Sequence, residues 1–201
     1  WRQSIKPSAI DLEIPPFFNN PDKNLTLKHP YCLKWIKNYQ NLKPPIFIGP
    51  TGVGKTHMLY ALLSSLVTKL INQNNSRWEK ATPFNRPHYY IPQIKILSSV
   101  QMLHDIRNGI ATNTSNEILK NYQNVNILAL DDFGTEKVTD WVSEQFFLIL
   151  NHRLLYQFPT IISTNLSFKE IALNNGDRIA SRLYELCHPV FLKGFDKRLK
   201  K

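Results

Sequence analysis

Eight consecutive residues, Gly49-Pro50-Thr51-Gly52-Val53-Gly54-Lys55-Thr56, fit the pattern G-x-x-x-x-G-K-[ST]. Glycines free a backbone to wrap an anion, so that successive N–H groups turn inward. A helix beginning near Lys55 would offer its positive end to the same anion. Lys55 is suited to the β- and γ-phosphates of a nucleotide, and the Thr56 hydroxyl to Mg²⁺. The chemistry is that of a phosphate-binding loop, with ATP as the expected ligand.

A second group is Ile127-Leu128-Ala129-Leu130-Asp131-Asp132, an apolar run ending in two acids. Such a strand delivers both carboxylates to the sheet edge where ligands of open α/β sheets bind. Asp131 is expected to hold Mg²⁺ through water, and Asp132 to orient or activate the attacking water. Ser163-Thr164-Asn165 ends another apolar run. It would either face the γ-phosphate or cap the next helix. Arg178 and Arg182 lie one helical turn apart, so they share a face. They would pair locally with Asp177 or Glu185, or reach a neighbour's γ-phosphate.

Elements must position these groups. Ile46-Phe47-Ile48 predicts a short buried strand before the loop, and the apolar face of residues 56–71 predicts a helix after it. The near-continuous apolar run at 125–130 predicts a central strand buried on both faces. Further strands are expected at 94–97, 159–163 and 190–193. Helices are expected at 31–39, 100–108, 117–122, 166–173 and 177–186. The longest helix is expected at 139–157, capped by Thr139 or Asp140. Residues 1–30 read as an irregular N-terminal arm, and the polar, breaker-rich 72–88 as a surface loop. The alternation predicts a three-layer α/β domain over 31–201 with a central, mostly parallel sheet.

The stretch ILALDDFGTEKVTDWVSEQFFLILNHRLLYQFPTIISTNLS, followed by DRIASRLYELC, closely resembles the DnaC/DnaI-type helicase loaders and the related IstB transposition ATPases, which belong to the AAA+ class. The resemblance runs from about Phe17 to Arg198. It implies a P-loop fold in which Gly49–Thr56 is Walker A and Asp131 and Asp132 are Walker B. It further implies that Asn165 is the sensor-1 polar residue and Arg182 the arginine finger acting in trans, with Arg178 its near neighbour. Arg198 matches a C-terminal sensor-2-like arginine, and His57 fits the family pattern. The implied protein hydrolyses ATP with Mg²⁺ at a site shared within a homo-oligomer. It assembles on single-stranded DNA and acts on a replicative, DnaB-type helicase or on a transposase.

Three departures stand out. Many AAA+ proteins carry Asp-Glu where this chain has Asp131-Asp132, although Asp-Asp occurs among the loaders. Only 36 residues follow Asn165, so residues 166–201 are expected to form a reduced lid and arginine-finger region. By the resemblance, the family's N-terminal partner-binding domain is expected to be absent from this sequence or shrunk to the arm.

The remaining composition agrees. The chain has 201 residues, 42% of them hydrophobic, and a formal charge of +10, which favours polyanionic partners. Two distant cysteines, Cys32 and Cys187, suggest neither a disulfide framework nor a zinc site. Nothing approaches the roughly 20 apolar residues of a membrane span, and no leader opens the chain, so a cytoplasmic setting is expected. A start at Trp1 suggests a piece of a longer chain. Lys193, Lys197, Arg198, Lys200 and Lys201 form a tail that would grip phosphates or stay solvated. Trp35, Trp78 and Trp141 would pack or stack on bases, the helical spacing of Trp35 and Trp141 favouring packing. The competing functions are a transposase helper and a nucleotide-gated adaptor that holds ATP without turnover. A small-molecule kinase leaves DDFG and the arginine pair without a role, and a GTPase lacks its Asn-Lys-x-Asp motif.

Overall fold

In the computed structural model, residues 29–80, 92–194 and 196 are described. Twelve elements follow one another there. They are α1 (Pro30–Lys37), β1 (Pro45–Ile48), α2 (Lys55–Glu79), β2 (Ile94–Ser98), α3 (Ser99–Ala111), α4 (Ser115–Asn124), β3 (Ile127–Phe133), α5 (Asp140–Leu155), β4 (Thr160–Thr164), α6 (Phe168–Asn175), α7 (Asp177–Leu186) and β5 (His188–Phe191).

The five strands form one sheet in the order β2-β3-β4-β1-β5, and every neighbouring pair is parallel. From β1 the chain crosses to the far edge at β2, then returns strand by strand until β4 lies beside β1. β5 closes the other side. The phosphate-loop strand is thus flanked by β4 and β5, at the place where the strand order reverses and open sheets bind ligands.

Strand alternation divides the core into two layers of side chains. Phe47, Ile127, Ala129, Ile161 and Val190 face α1 and α2, meeting Trp35, Leu59, Leu62 and Leu66. Ile46, Ile48, Leu128, Leu130 and Ile162 face the opposite way, against Met102, Phe146, Ile149 and Leu183 from α3, α5 and α7. Helices cover both faces of the sheet, giving the expected three layers. Trp35 is fully buried and donates its indole N–H to Leu42 O at 3.1 Å, so it packs. Trp141 is half-buried under the Arg107 guanidinium, 4.8 Å away. The Trp78 side chain lies outside the described residues.

Two expectations need correction. Residues 72–79 are helix rather than surface loop, because α2 runs for 25 residues to Glu79. That also makes α2, not the 16-residue α5, the longer of the two. An Asn-rich stretch lowers helix propensity by well under 1 kcal/mol per residue, and extending an existing helix is far easier than starting one. The first residue that forbids continuation is Pro83. Buried Asn74 and the Lys69 ammonium, bound to Ile36 O and Lys37 O at 2.8 Å each, anchor the outer turns. Residues 81–88 of the expected loop and nearly all of the 1–30 arm lie outside the described residues.

The second correction concerns β3, which begins at Ile127 and continues through both acids to Phe133. Its pairing with β4 slips between Leu130 and Phe133, a bulge that takes in Asp131 and Asp132. Beyond Asn165, the chain supplies α6 and α7, which pack on each other, with α7 also on α5. It then supplies β5, which pairs with β1. Among the described residues the segment 166–194 is therefore built into the α/β layers.

Arg153 was invisible as a structural residue. It is fully buried and bonds Thr160 Oγ1 (2.7 Å), Tyr122 O (3.0 Å), Gln123 O (3.2 Å), Val125 O (2.8 Å) and Pro159 O (2.7 Å). One guanidinium thereby satisfies the carbonyls at the entries to β3 and β4, groups that would otherwise be buried unpaired. Among the described residues, no helix is long and apolar enough to cross a membrane.

Candidate nucleotide site

β1 is buried along its whole length and stops at Ile48. Gly49 donates its N–H to Thr164 O (3.3 Å), fixing the start of the loop to the end of β4. A Cβ on Gly49 would strike the Leu192 carbonyl after β5, so only glycine permits that approach. Gly52 and Gly54 have φ of +74° and +102°, values that side chains disfavour, and they turn the loop back on itself. Gly54 O then accepts the Met58 N–H at 2.9 Å, in the first turn of α2. Pro50, Thr51 and Val53 complete the loop, and His57 is half-buried on that first turn. The C-terminal segment also reaches the loop: the Asp196 carboxylate lies where a Cβ on Gly52 would be.

Lys55 is 5% exposed, and its ammonium donates to Pro50 O (2.9 Å) and to Asn165 Oδ1. The Thr56 hydroxyl donates to Asp131 Oδ1 at 3.1 Å, and Ser163 Oγ donates to the same oxygen. Residues from the β1 loop, β3 and β4 thus meet at one point. The donor set of a hydroxyl and a carboxylate suits a hard cation such as Mg²⁺, which keeps waters and takes substrate phosphates as its other ligands. No cluster of three or more His, Cys, Asp or Glu fit for a metal occurs among the described residues.

Burial raises the Asp131 carboxyl above its ordinary 3.8; the bonds from Ser163 and Thr56 oppose this, and the charge of Asp132 adds to it. A carboxyl raised on folding holds its proton more tightly in the folded state. Its ionisation therefore subtracts stability as pH rises from 3.8 through the raised value, and the full penalty stands above it. Asp131→Asn is expected to raise the melting temperature of the nucleotide-free protein at neutral pH and to gain little below the ordinary carboxylate range. A gain equal at both pH values in thermal melts would refute this origin.

Asp132 has φ +53°, a left-handed conformation that strains a non-glycine residue by about 1–3 kcal/mol. Aspartate is among the few residues that tolerate it. Its N–H donates to Ser163 Oγ at 3.0 Å. Ser163 and Thr164 are fully buried, and Thr164 Oγ1 donates to Phe133 O at 2.7 Å, so both are spent on β3. The cap of α6 is Ser167, in a capping box with Glu170. Of the trio's side chains only that of Asn165 bonds the phosphate loop, through Lys55, while Thr164 meets it through its backbone carbonyl.

The arginines lie elsewhere in the chain's own fold. Arg182 donates from Nε to Asn151 Oδ1 on α5 (2.8 Å) and sits 3.8 Å from Glu185 and 5.9 Å from the Phe147 ring. Exposed Arg178 borders a cavity of about 530 Å³ with Ser143, Glu144, Phe147 and Asn175. The local pairing with Glu185 is therefore present in loose form. Arg198 lies outside the described residues, as do Lys197, Lys200 and Lys201. Sequence reasoning missed Ser99 and Glu136, which bond around Asp132; a helix-start serine and a turn glutamate carry no signal of such long-range pairing.

No protein-family model matches the chain. It is 26% identical over 163 residues to the replicative helicase loader DnaI of Bacillus subtilis, covering 75% of this chain and 46% of that protein. The chain spans about half the length of the curated relatives it matches. A crystal structure of the DnaC helicase loader superposes with a TM-score of 0.64 at 22% identity, over 81% of this chain and 86% of that one. The replication initiator DnaA bound to AMPPCP and single-stranded DNA superposes at 0.63 and 22%, over 83% and 45%. A five-stranded parallel sheet, a phosphate loop between β1 and α2 and these similarities together support a DnaC/DnaI-like AAA+ P-loop family for the chain.

Proposed function

We propose that residues 31–201 are an ATPase domain, preceded by an arm at 1–30, that binds and hydrolyses ATP, assembles on single-stranded DNA and loads or remodels a replicative helicase in the cytoplasm. The observation that carries the nucleotide reading is the junction of Lys55, Thr56, Asp131, Ser163 and Asn165, three chain segments converging beside a Gly-rich loop. In this reading the N–H groups of 52–56 and the Lys55 ammonium hold the phosphates. Asn165 keeps Lys55 in place and faces the γ-phosphate. Thr56 and Asp131 would hold Mg²⁺, which neutralises charge developing on the phosphate oxygens. Asp132 accepts the proton of the attacking water as its oxygen bonds to the γ-phosphorus and the bond to ADP breaks. A neighbouring copy's Arg182, with Arg178 beside it, stabilises the charge; Arg198 is the sensor-2 group of the same scheme. The relation to DnaI supports the helicase as partner, and the charge of +10 suits a DNA strand.

Asp132→Asn tests the enzyme reading. General-base loss typically lowers turnover about 10²–10⁴-fold, so phosphate release should collapse while binding of a fluorescent ATP analogue is preserved. Wild-type turnover in the variant would remove Asp132 as base. Negligible turnover in both, with binding intact, would make the domain a nucleotide-gated adaptor. Affinity capture with ATP and with a non-hydrolysable analogue tests the partner, and recovery of a transposase in place of a helicase would overturn that half.

A further inference from the structure

We propose that Glu136 is a positioning residue for Asp132, fixing the strained turn that carries it; the inference rests on Asp132 serving ATP hydrolysis. The observation is a closed set of hydrogen bonds around one peptide segment. Asp132 (φ +53°) and Gly134 (φ +88°) are both left-handed, separated only by fully buried Phe133. Such a double turn does not hold itself in place.

Neighbouring strands clamp Asp132 from both sides. On the β4 side, Ser163 Oγ accepts the Asp132 N–H at 3.0 Å. On the β2 side, fully buried Ser99 lies one residue past Ser98, which pairs with Asp131, and its Oγ is 3.1 Å from Asp132 O. Thr135 Oγ1 donates to the same carbonyl at 2.9 Å.

Glu136 joins these pieces. Its Oε2 accepts the Ser99 hydroxyl at 2.6 Å, and both carboxylate oxygens lie 3.2 Å from the Gly134 N–H. The single Ser99 hydrogen faces both Glu136 and Asp132 O, and the shorter contact assigns it mainly to Glu136. The carboxylate therefore pins the far end of the turn to α3. Both of its oxygens are engaged by these two donors, which ties the carboxylate to the turn. Aspartate is a short side chain, so the reach of Asp132 is set by the backbone beneath it. A shift of about 1 Å at a reacting group is worth about a hundredfold in rate.

Turnover and binding are measured for Glu136→Ala and Glu136→Gln, alone and on the Asp132→Asn background, with circular dichroism as the folding control. The expected result is a kcat about tenfold or more below wild type for Glu136→Ala, with KM for ATP within about twofold. Glu136→Gln should fall between, since its amide keeps one acceptor but opposes the second donor. On the Asp132→Asn background the Glu136 effect should vanish, as for residues acting through one another. Unchanged kcat, or the same fold-loss on both backgrounds, overturns the proposal. Absent wild-type turnover overturns the ATPase reading instead. Amide exchange then decides the positioning claim: faster exchange at Asp132 and Gly134 in Glu136→Ala, with global stability kept, supports it, and unchanged exchange overturns it.

Discussion

Lys55→Ala is expected to abolish useful nucleotide binding while leaving the nucleotide-free fold nearly untouched. The lysine is almost buried, and its ammonium is held by Pro50 O and Asn165 Oδ1, oxygens of groups that stay in place without it. The shape of the loop rests instead on Gly52, Gly54 and the bond from Gly49 to Thr164. Losing one charged partner of a buried phosphate contact costs about 2–5 kcal/mol, roughly 30- to 4,000-fold in affinity at 1.4 kcal/mol per tenfold. Thermal shift separates the two effects. With Mg-ATP at a hundred times Kd the wild type gains about 2.7 kcal/mol, or roughly 5–11 °C for a chain of this size. The variant should melt near the wild-type temperature without nucleotide and show no shift with it. A preserved shift would remove Lys55 from the phosphate site.

What the sequence revealed and concealed follows from how each interaction is encoded. The phosphate loop was legible because its residues are consecutive, and glycine is the residue that backbone at φ of +74° and +102° demands. Asp131 and Asp132 were legible because an apolar run must end where the sheet meets solvent. The bulge that makes them differ was not, since nothing in the residue types marks a slip between Leu130 and Phe133. The trio Ser163-Thr164-Asn165 was found, but its two possible roles could not be separated without knowing that Ser167 caps α6. Residues 72–79 mislead because polarity alone suggests a loop, whereas Pro and Gly are the residues that end a helix firmly. Arg153 and Glu136 were hidden for one shared reason. Each is a charged residue on an apparent surface position with partners far away in the chain, Val125 at 28 residues from Arg153 and Ser99 at 37 from Glu136, and no local period records such pairs.

Arg182→Ala carries the largest expected loss of turnover with binding intact. In its own chain the guanidinium is held by Asn151 on α5, away from the junction of Lys55, Thr56 and Asp131. If the site is completed by a neighbour, Arg182 leaves Asn151 for the adjacent copy's γ-phosphate, and the interface is of the head-to-tail kind. Arginines acting this way contribute about 10³–10⁵ in kcat, so the variant should bind ATP normally and turn it over at least about a thousandfold more slowly. Mixing with Lys55→Ala gives the decisive readout. Each variant alone is inactive, but in a mixed assembly the intact Lys55 of one copy meets the intact Arg182 of the next. Random mixing in equal parts restores about a quarter of the interfaces, since head-to-tail assembly needs one correct copy on each side. Recovered turnover identifies a shared site. Wild-type turnover in Arg182→Ala alone, or co-assembled mixtures as inactive as their components, refutes it and leaves Arg182 as a residue that braces α7 against α5.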